Sequence, residues 1–184
     1  MNELVSVVIS SRNEEKNIYN LLKSIELQTY KNIEVILVDN FSNDKTLEIA
    51  KKFNVKIILH GKERSEQRNV GFKNSKGKYG LYLDADMLLT PNLIYSLVMK
   101  IKQSEAKGIY IKEKILGKSL FNLSRDFERQ FYEKSNIDAI RFFLIENFIK
   151  INGFDEDITG QEDWDLSQKF TRLYTAEILT DKLD

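Results

Sequence analysis

Four apolar runs of strand length constrain this chain more than anything else in it: "VSVVIS" (5–10), "IEVILVD" (33–39), "VKIIL" (55–59) and "YGLYLD" (79–84). Each is nearly continuous in Val, Ile, Leu and Tyr instead of alternating with polar residues. That pattern belongs to strands buried on both faces of a parallel sheet. The stretches between them carry a different period. Ile18, Leu21, Leu22 and Ile25 follow i, i+3, i+4, i+7 spacing, as do Ile94, Leu97, Val98 and Ile101, which predicts amphipathic helices. Asn13 with Glu14 and Glu15, and Thr90 with Pro91, supply helix-start signals. A βαβα series of this kind predicts an α/β fold, with a mostly parallel central sheet flanked by helices on both faces.

The second half is less regular. "GIYIKEKI" predicts a short strand, and a helical stretch follows from about Leu120 to Tyr132, with Leu120, Leu123, Phe127 and Phe131 on one stripe. "IDAIRFF" (137–143) reads as another strand, and "EDWDLSQKFTRLY" as an amphipathic helix carrying Leu166, Phe170 and Leu173. No repeat, low-complexity tract or linker divides the chain. With 184 residues, 42% of them hydrophobic, a single domain over 1–184 with a sizeable core is expected.

Composition removes several function classes. The 28 basic and 28 acidic residues cancel, which gives no footprint for nucleic acid. Cysteine is absent, so there are no disulfides and no thiolate chemistry, a pattern that suits the cytosol. His60 is the only histidine, which excludes a zinc site built from His and Cys. "LVSVVISS" is too short to span a bilayer and runs straight into "RNEE", unlike a signal peptide. No uncharged stretch reaches the ~18 residues of a spanning helix, so none is expected.

Ligands of open α/β sheets bind beyond the carboxyl ends of the strands. That rule makes neighbours of Arg12, Asp39 and the Asp84–Asp86 pair, each of which follows a different strand. No G-x-G-x-x-G follows the first strand and no G-x-x-x-x-G-K-[ST] occurs, so dinucleotide and P-loop readings lose support. Of the three D-x-D triplets (Asp84–Asp86, Asp155–Asp157 and Asp163–Asp165), only the first closes a hydrophobic strand. Carboxylates placed there suit Mg²⁺ or Mn²⁺ sharing its other positions with diphosphate and water, or else an ordinary capped turn.

Taken in order, "VSVVISSRNEEKNIYNLLKSI", "IEVILVDNFSNDKT", "RSEQRNVGFKNSKGKYGLYLDADM" and "INGFDEDITGQEDWDL" resemble the signatures of GT-A-fold, family 2 glycosyltransferases, over most of residues 4 to 170. The resemblance implies a Rossmann-like GT-A domain. It further implies a nucleotide-sugar donor, UDP-linked first, and inverting transfer to a hydroxyl acceptor with Mn²⁺ or Mg²⁺. A nucleotide-sugar-binding half (1–104) would precede an acceptor-binding half (105–184) that carries the catalytic base. Residue by residue, Asp39 corresponds to the carboxylate that reads the base, and Arg68 lies in the "QRNVG" segment near the nucleotide. Asp84 corresponds to the first D-x-D aspartate, by ribose and metal, Asp86 to the principal metal ligand, and Asp163 to the catalytic base. Two departures stand out. Asn40 replaces the second acid that usually follows Asp39, and no histidine follows Asp163 to add a metal ligand.

Each of these residues also has a plainer reading. Asp39 could cap a turn with Asn40, Ser42 and Asn43, and Asp163 could be an acid favoured at a helix N-terminus. Arg12 and Arg68 could be solvated charges, and Glu162 an orienting or capping acid. Trp164 reads as core before acceptor platform, and His60 as a surface loop residue. Phe127, Phe131, Phe142 and Phe143 read as core. With Arg125, Arg129 and Arg141 they could instead line an anionic acceptor site or a peripheral contact at the inner membrane surface. Saccharide and lipid-linked acceptors are both expected candidates, and oligomeric state is not legible. Two other functions compete: a sugar-phosphate nucleotidyltransferase, and a nucleotide-sugar-binding domain without turnover.

Overall fold

The computed structural model describes residues 3–114 and 139–179. Among them, seven strands form one sheet in the order β3-β2-β1-β4-β6-β5-β7. The strands are β1 (Val5–Ser11), β2 (Ile33–Asp39), β3 (Lys56–Leu59), β4 (Tyr79–Asp84), β5 (Gly108–Ile111), β6 (Ala139–Leu144) and β7 (Ala176–Ile178). The helices are α1 (Ile18–Glu26), α2 (Thr46–Ala50), α3 (Arg64–Lys73), α4 (Leu93–Gln103), α5 (Ile145–Lys150) and α6 (Glu162–Thr171).

The four apolar runs are strands β1 to β4, and they pair in parallel as expected. β1 and most of β4 are buried throughout, but β3 is the sheet edge, with Lys56 and Leu59 exposed. The expectation of burial on both faces therefore fails for β3, because an edge strand lacks a second neighbour. "AIRFFL" runs antiparallel to both β4 and β5, so the sheet is mixed on that side. Alternation along β1 splits the core. Val5, Val7 and Ile9 pack with the α1 and α4 stripes, and Val8 packs with Phe72, Phe143, Phe148 and Phe170 on the opposite face. Gly71 lets α3 lie directly on β1, since a Cβ there would fall 2.3 Å from Val8 Cγ1.

Several local expectations need correction. Helix α1 begins at Ile18 and not at Asn13; Glu14 and Glu15 instead donate their backbone N–H groups to Thr46 and Asp44. Leu173 lies past the end of α6 and is exposed, whereas Leu166 and Phe170 are buried as the stripe required. The helix expected over 120–132, with Phe127 and Phe131, lies outside the described residues, as do Arg125 and Arg129. No described helix is long and apolar enough to cross a membrane.

Candidate active site

The parallel register aligns the strand ends on one edge. Ser11 pairs with Asp39, Ser10 with Asp84 and Asp39 with Leu59. Because β6 runs antiparallel to β4, pairing Leu144 with Tyr79 and Phe142 with Leu81, its first residues point toward that same edge, and Arg141 reaches Asp84 there.

Three consecutive residues of α3 tie the edge together. Gln67 Nε2 donates to the backbone carbonyls of Ser11 (3.1 Å) and Val38 (2.7 Å), fixing the helix to the ends of β1 and β2. Asn69 donates to the Phe154 carbonyl and accepts from the Phe154 N–H, both at 3.0 Å, so it holds the Asn152–Gly153 turn, where both residues have positive φ. Arg68, between them, is fully buried.

Arg68 joins two carboxylates that are far apart in the chain. Its Nη2 donates to Asp84 Oδ1 at 2.6 Å and its Nη1 to Asp163 Oδ1 at 2.7 Å. Arg141, from β6, closes a four-membered ring of alternating charge through Nη2, 3.3 Å from Asp84 Oδ2 and 3.4 Å from Asp163 Oδ2. Its Nε donates to Glu113. Both guanidiniums lie over the Tyr82 ring, 4.6 Å (Arg68) and 4.9 Å (Arg141) from its centroid. Glu162, also buried, sits 3.6 Å from Arg68 Nη1 and 3.2 Å from Arg64 Nη2.

The protonation pattern follows from this ring. Burial alone would raise the Asp84 carboxyl, but Arg68 and Arg141 outweigh it and hold it below the usual carboxylate range. Burial works against the charges on both arginines. Asp84 and Asp163 reverse that for Arg68, and Tyr82 with the Glu113, Asp84 and Asp163 carboxylates does so for Arg141, so both stay cationic. Burial, with Asp163 behind it, pushes the Tyr82 hydroxyl well above its ordinary value.

The predicted residues thus divide. Arg68, Asp84, Asp163 and Glu162 are brought together, and the reading of Arg68 as a solvated charge is overturned. Arg141, grouped in the sequence with the acceptor-side arginines, lies at the centre of the network. Its signal was a lone arginine inside the apolar run "AIRFFL". Asp39 is fully buried, and its carboxylate accepts from Ser11 Oγ (2.6 Å), Ser42 Oγ (2.7 Å) and Ser42 N–H (2.7 Å), a turn-building role. Asn40 Nδ2 donates to the Lys62 carbonyl at 3.0 Å, which an aspartate could not do. Arg12 is exposed at the end of β1. Trp164, next to Asp163, is 41% exposed, against the expectation of core. His60 bonds Glu66 through Nε2 at 2.9 Å.

The fit of a divalent cation can be judged from the donor set. No group of three or more His, Cys, Asp or Glu side chains suited to a metal occurs among the described residues. Both oxygens of Asp84 face arginines, whereas Asp86 is exposed just past the end of β4. A site of that kind fits Mg²⁺ or Mn²⁺, which binds through one or two carboxylates plus substrate phosphates and water. It does not fit a metal caged by protein alone.

Comparison with known proteins bears on the fold and the family. An uncharacterized glycosyltransferase of Rickettsia typhi is 31% identical over 188 residues, covering 92% of this chain and 59% of the relative. The Escherichia coli UDP-Glc:alpha-D-GlcNAc-diphosphoundecaprenol beta-1,3-glucosyltransferase WfaP is 38% identical over 89 residues, or 46% of this chain and 36% of WfaP. The chain therefore spans about three-fifths or less of the length of these relatives. Two solved structures share the fold. S. aureus TarS 1–349 in complex with UDP-GlcNAc has a TM-score of 0.79 at 23% identity, covering 97% of this chain and 56% of that one. The mannosyltransferase PcManGT from Pyrobaculum calidifontis, in complex with GDP-Man and Mn²⁺, has a TM-score of 0.81 at 16% identity, covering 100% and 56%. The sequence model of glycosyl transferase family 2 matches residues 6–149, from the first strand into α5, and the chain belongs to that family.

Proposed function

We propose that this chain catalyses inverting transfer of a sugar from a nucleoside-diphosphate donor, UDP-linked first, to a hydroxyl acceptor. The observation that carries the reading is the placement of Asp163 beside Asp84 through Arg68. A proton-accepting carboxylate thereby stands next to the D-x-D tip of β4. Family membership and the UDP-GlcNAc held by TarS support the donor class.

In this reading the acceptor oxygen bonds to the anomeric carbon while the carbon–oxygen bond to the diphosphate breaks. Asp163 takes the hydroxyl proton. Its two oxygens are not equivalent for that task. Oδ1 is held by Arg68 at 2.7 Å, whereas Oδ2 has the longer 3.4 Å contact to Arg141 and is the more weakly held of the two. Asp86 is the residue that would hold Mn²⁺ or Mg²⁺, whose Lewis acidity offsets charge on the leaving diphosphate. A second metal contact from Asp84 would require its arginine pairs to open. Arg12 and Asp39 belong to the donor side at the ends of β1 and β2. Glu162 and the exposed Trp164 belong to the acceptor side, with Arg125 and Arg129 outside the described residues. Residues 1–104 would then serve the donor, and 105–184 the acceptor and base. The acceptor is a saccharide hydroxyl, free or lipid-linked; the diphosphoundecaprenol-linked substrate in WfaP's name favours the linked form.

The test combines thermal shift with UDP-sugars and GDP-mannose, with and without Mn²⁺, and release of free nucleoside diphosphate in the presence of acceptors. Stabilisation by a sugar nucleotide and acceptor-dependent UDP release are expected. Pyrophosphate release would select a nucleotidyltransferase, donor binding without turnover a binding domain. No stabilisation by any sugar nucleotide defeats the reading.

A further inference from the structure

Phe41 is the most exposed large apolar side chain at the ligand edge of the parallel sheet, with 65% of its surface open, and its backbone is left-handed at φ 48. A bulky residue in that region is a steric outlier, retained only where its surroundings hold it. Here they do. Asp39 Oδ1 and Oδ2 accept from Ser42 N–H and Oγ across the turn, both at 2.7 Å. Ser42 Oγ accepts from the Asn13 backbone N–H at 2.7 Å, and the Asn43 N–H donates to Asn13 Oδ1 at 2.9 Å. Asn40 ties the other side to Lys62.

The neighbouring loop is shaped around this turn. A Cβ on Gly61 would fall 2.4 Å from Asn40 Oδ1 and 3.2 Å from Phe41 Cδ2, so the glycine leaves the space in which the ring lies. Leu59, paired with Asp39 across the sheet, is 52% exposed at the same strand ends. A rigid turn thus presents a flat ring to solvent at the end of β2, while Asp39 is consumed inside the turn.

We infer that Phe41 is the stacking platform for the nucleobase of the donor, and that Asp39 acts on the base through the turn that presents this ring. The inference rests on the nucleoside-diphosphate donor proposed above. Every base has a π-face, so a platform of this kind serves uracil and guanine alike, and any preference between them must come from groups at the base edge.

The test titrates UDP, GDP and inorganic pyrophosphate, each with Mn²⁺, into wild type, Phe41→Gly and Phe41→Tyr. Loss of the ring in Phe41→Gly should weaken UDP and GDP by a similar factor of about 5–150-fold while leaving pyrophosphate unchanged. Phe41→Tyr, which keeps the ring, should retain wild-type affinity. Phe41→Gly should also match or exceed the wild-type thermal midpoint, because glycine adopts the left-handed turn without strain. Equal UDP affinity in wild type and Phe41→Gly overturns the inference alone. So does a parallel loss of UDP and pyrophosphate, which would mark a loosened turn. If wild type binds neither nucleotide, the donor reading fails and the platform fails with it.

Discussion

Arg68 Nη1 lies 2.7 Å from Asp163 Oδ1, and the same guanidinium lies 2.6 Å from Asp84 Oδ1. One buried cation therefore sets the distance between the tip of β4 and the start of α6. Removing it leaves Asp84 and Asp163 with Arg141 alone, at more than 3 Å from each. Arg68→Met should lower unfolding free energy by about 3 kcal/mol, the low end for breaking a buried ion pair, because Asp84 and Asp163 are only partly buried. Urea denaturation measures it; a loss under ~1 kcal/mol would show that the pair is solvated.

Asp163→Asn keeps the shape of the side chain and removes its capacity to take a proton. Transfer should fall by about 10²–10⁴-fold while donor affinity, measured by direct titration, stays close to wild type. Normal turnover in this variant would assign the proton to another group.

Asp84 gives a stability signature in acid. Its folded carboxyl titrates below the unfolded value of about 3.9, because Arg68 and Arg141 outweigh burial. Its contribution is therefore fully present above the unfolded value and disappears as pH falls through the folded one. The stability gap between wild type and Asp84→Asn should be constant from pH 7 to about pH 5 and narrow below about pH 4. Urea midpoints across that range test it, and a gap unchanged in acid would contradict the ion pairs.

Metal dependence should sit on Asp86. Chelation with EDTA should weaken UDP-sugar binding to wild type, and Asp86→Ala should abolish the Mn²⁺-dependent increment while preserving the thermal midpoint, since this side chain is exposed. Retained Mn²⁺ enhancement in Asp86→Ala would remove the assignment.

Trp164 presents an exposed face beside Asp163. Trp164→Ala should raise the KM for the acceptor and leave donor affinity unchanged. Acceptor kinetics indifferent to the change would return the indole to a structural role.

The strands were legible because β1, β2 and β4 are buried enough to read as unbroken apolar runs, and Asp84 was legible because it ends one. Helix α3 was not. "RSEQRNVGFK" carries too little apolar periodicity to announce burial, yet Ser65, Gln67, Arg68 and Asn69 are all buried against polar partners from other elements. Hydrophobic patterning is silent about a side chain buried by hydrogen bonds and ion pairs. Arg141 could be seen as an anomaly in its strand, but its partners could not, because the antiparallel direction of β6 was not written in six residues. Trp164 misled for the converse reason: an aromatic on an amphipathic helix suggests core, yet it lies off the Leu166 and Phe170 stripe that is buried.

The direction of β6 has a consequence for how charge is gathered at the ligand edge. β5 and β6 are antiparallel, with Ile111 opposite Ala139, and Arg141 near the start of β6 reaches Asp84 at the end of β4. The end of β5 and the start of β6 thus lie together on the edge that carries Asp84. Parallel strands deliver acids there at their carboxyl ends, as Asp39 and Asp84 show, whereas the reversed strand delivers a cation near its amino end. One strand of opposite direction is therefore enough to set a cation across from an acid at the same sheet edge.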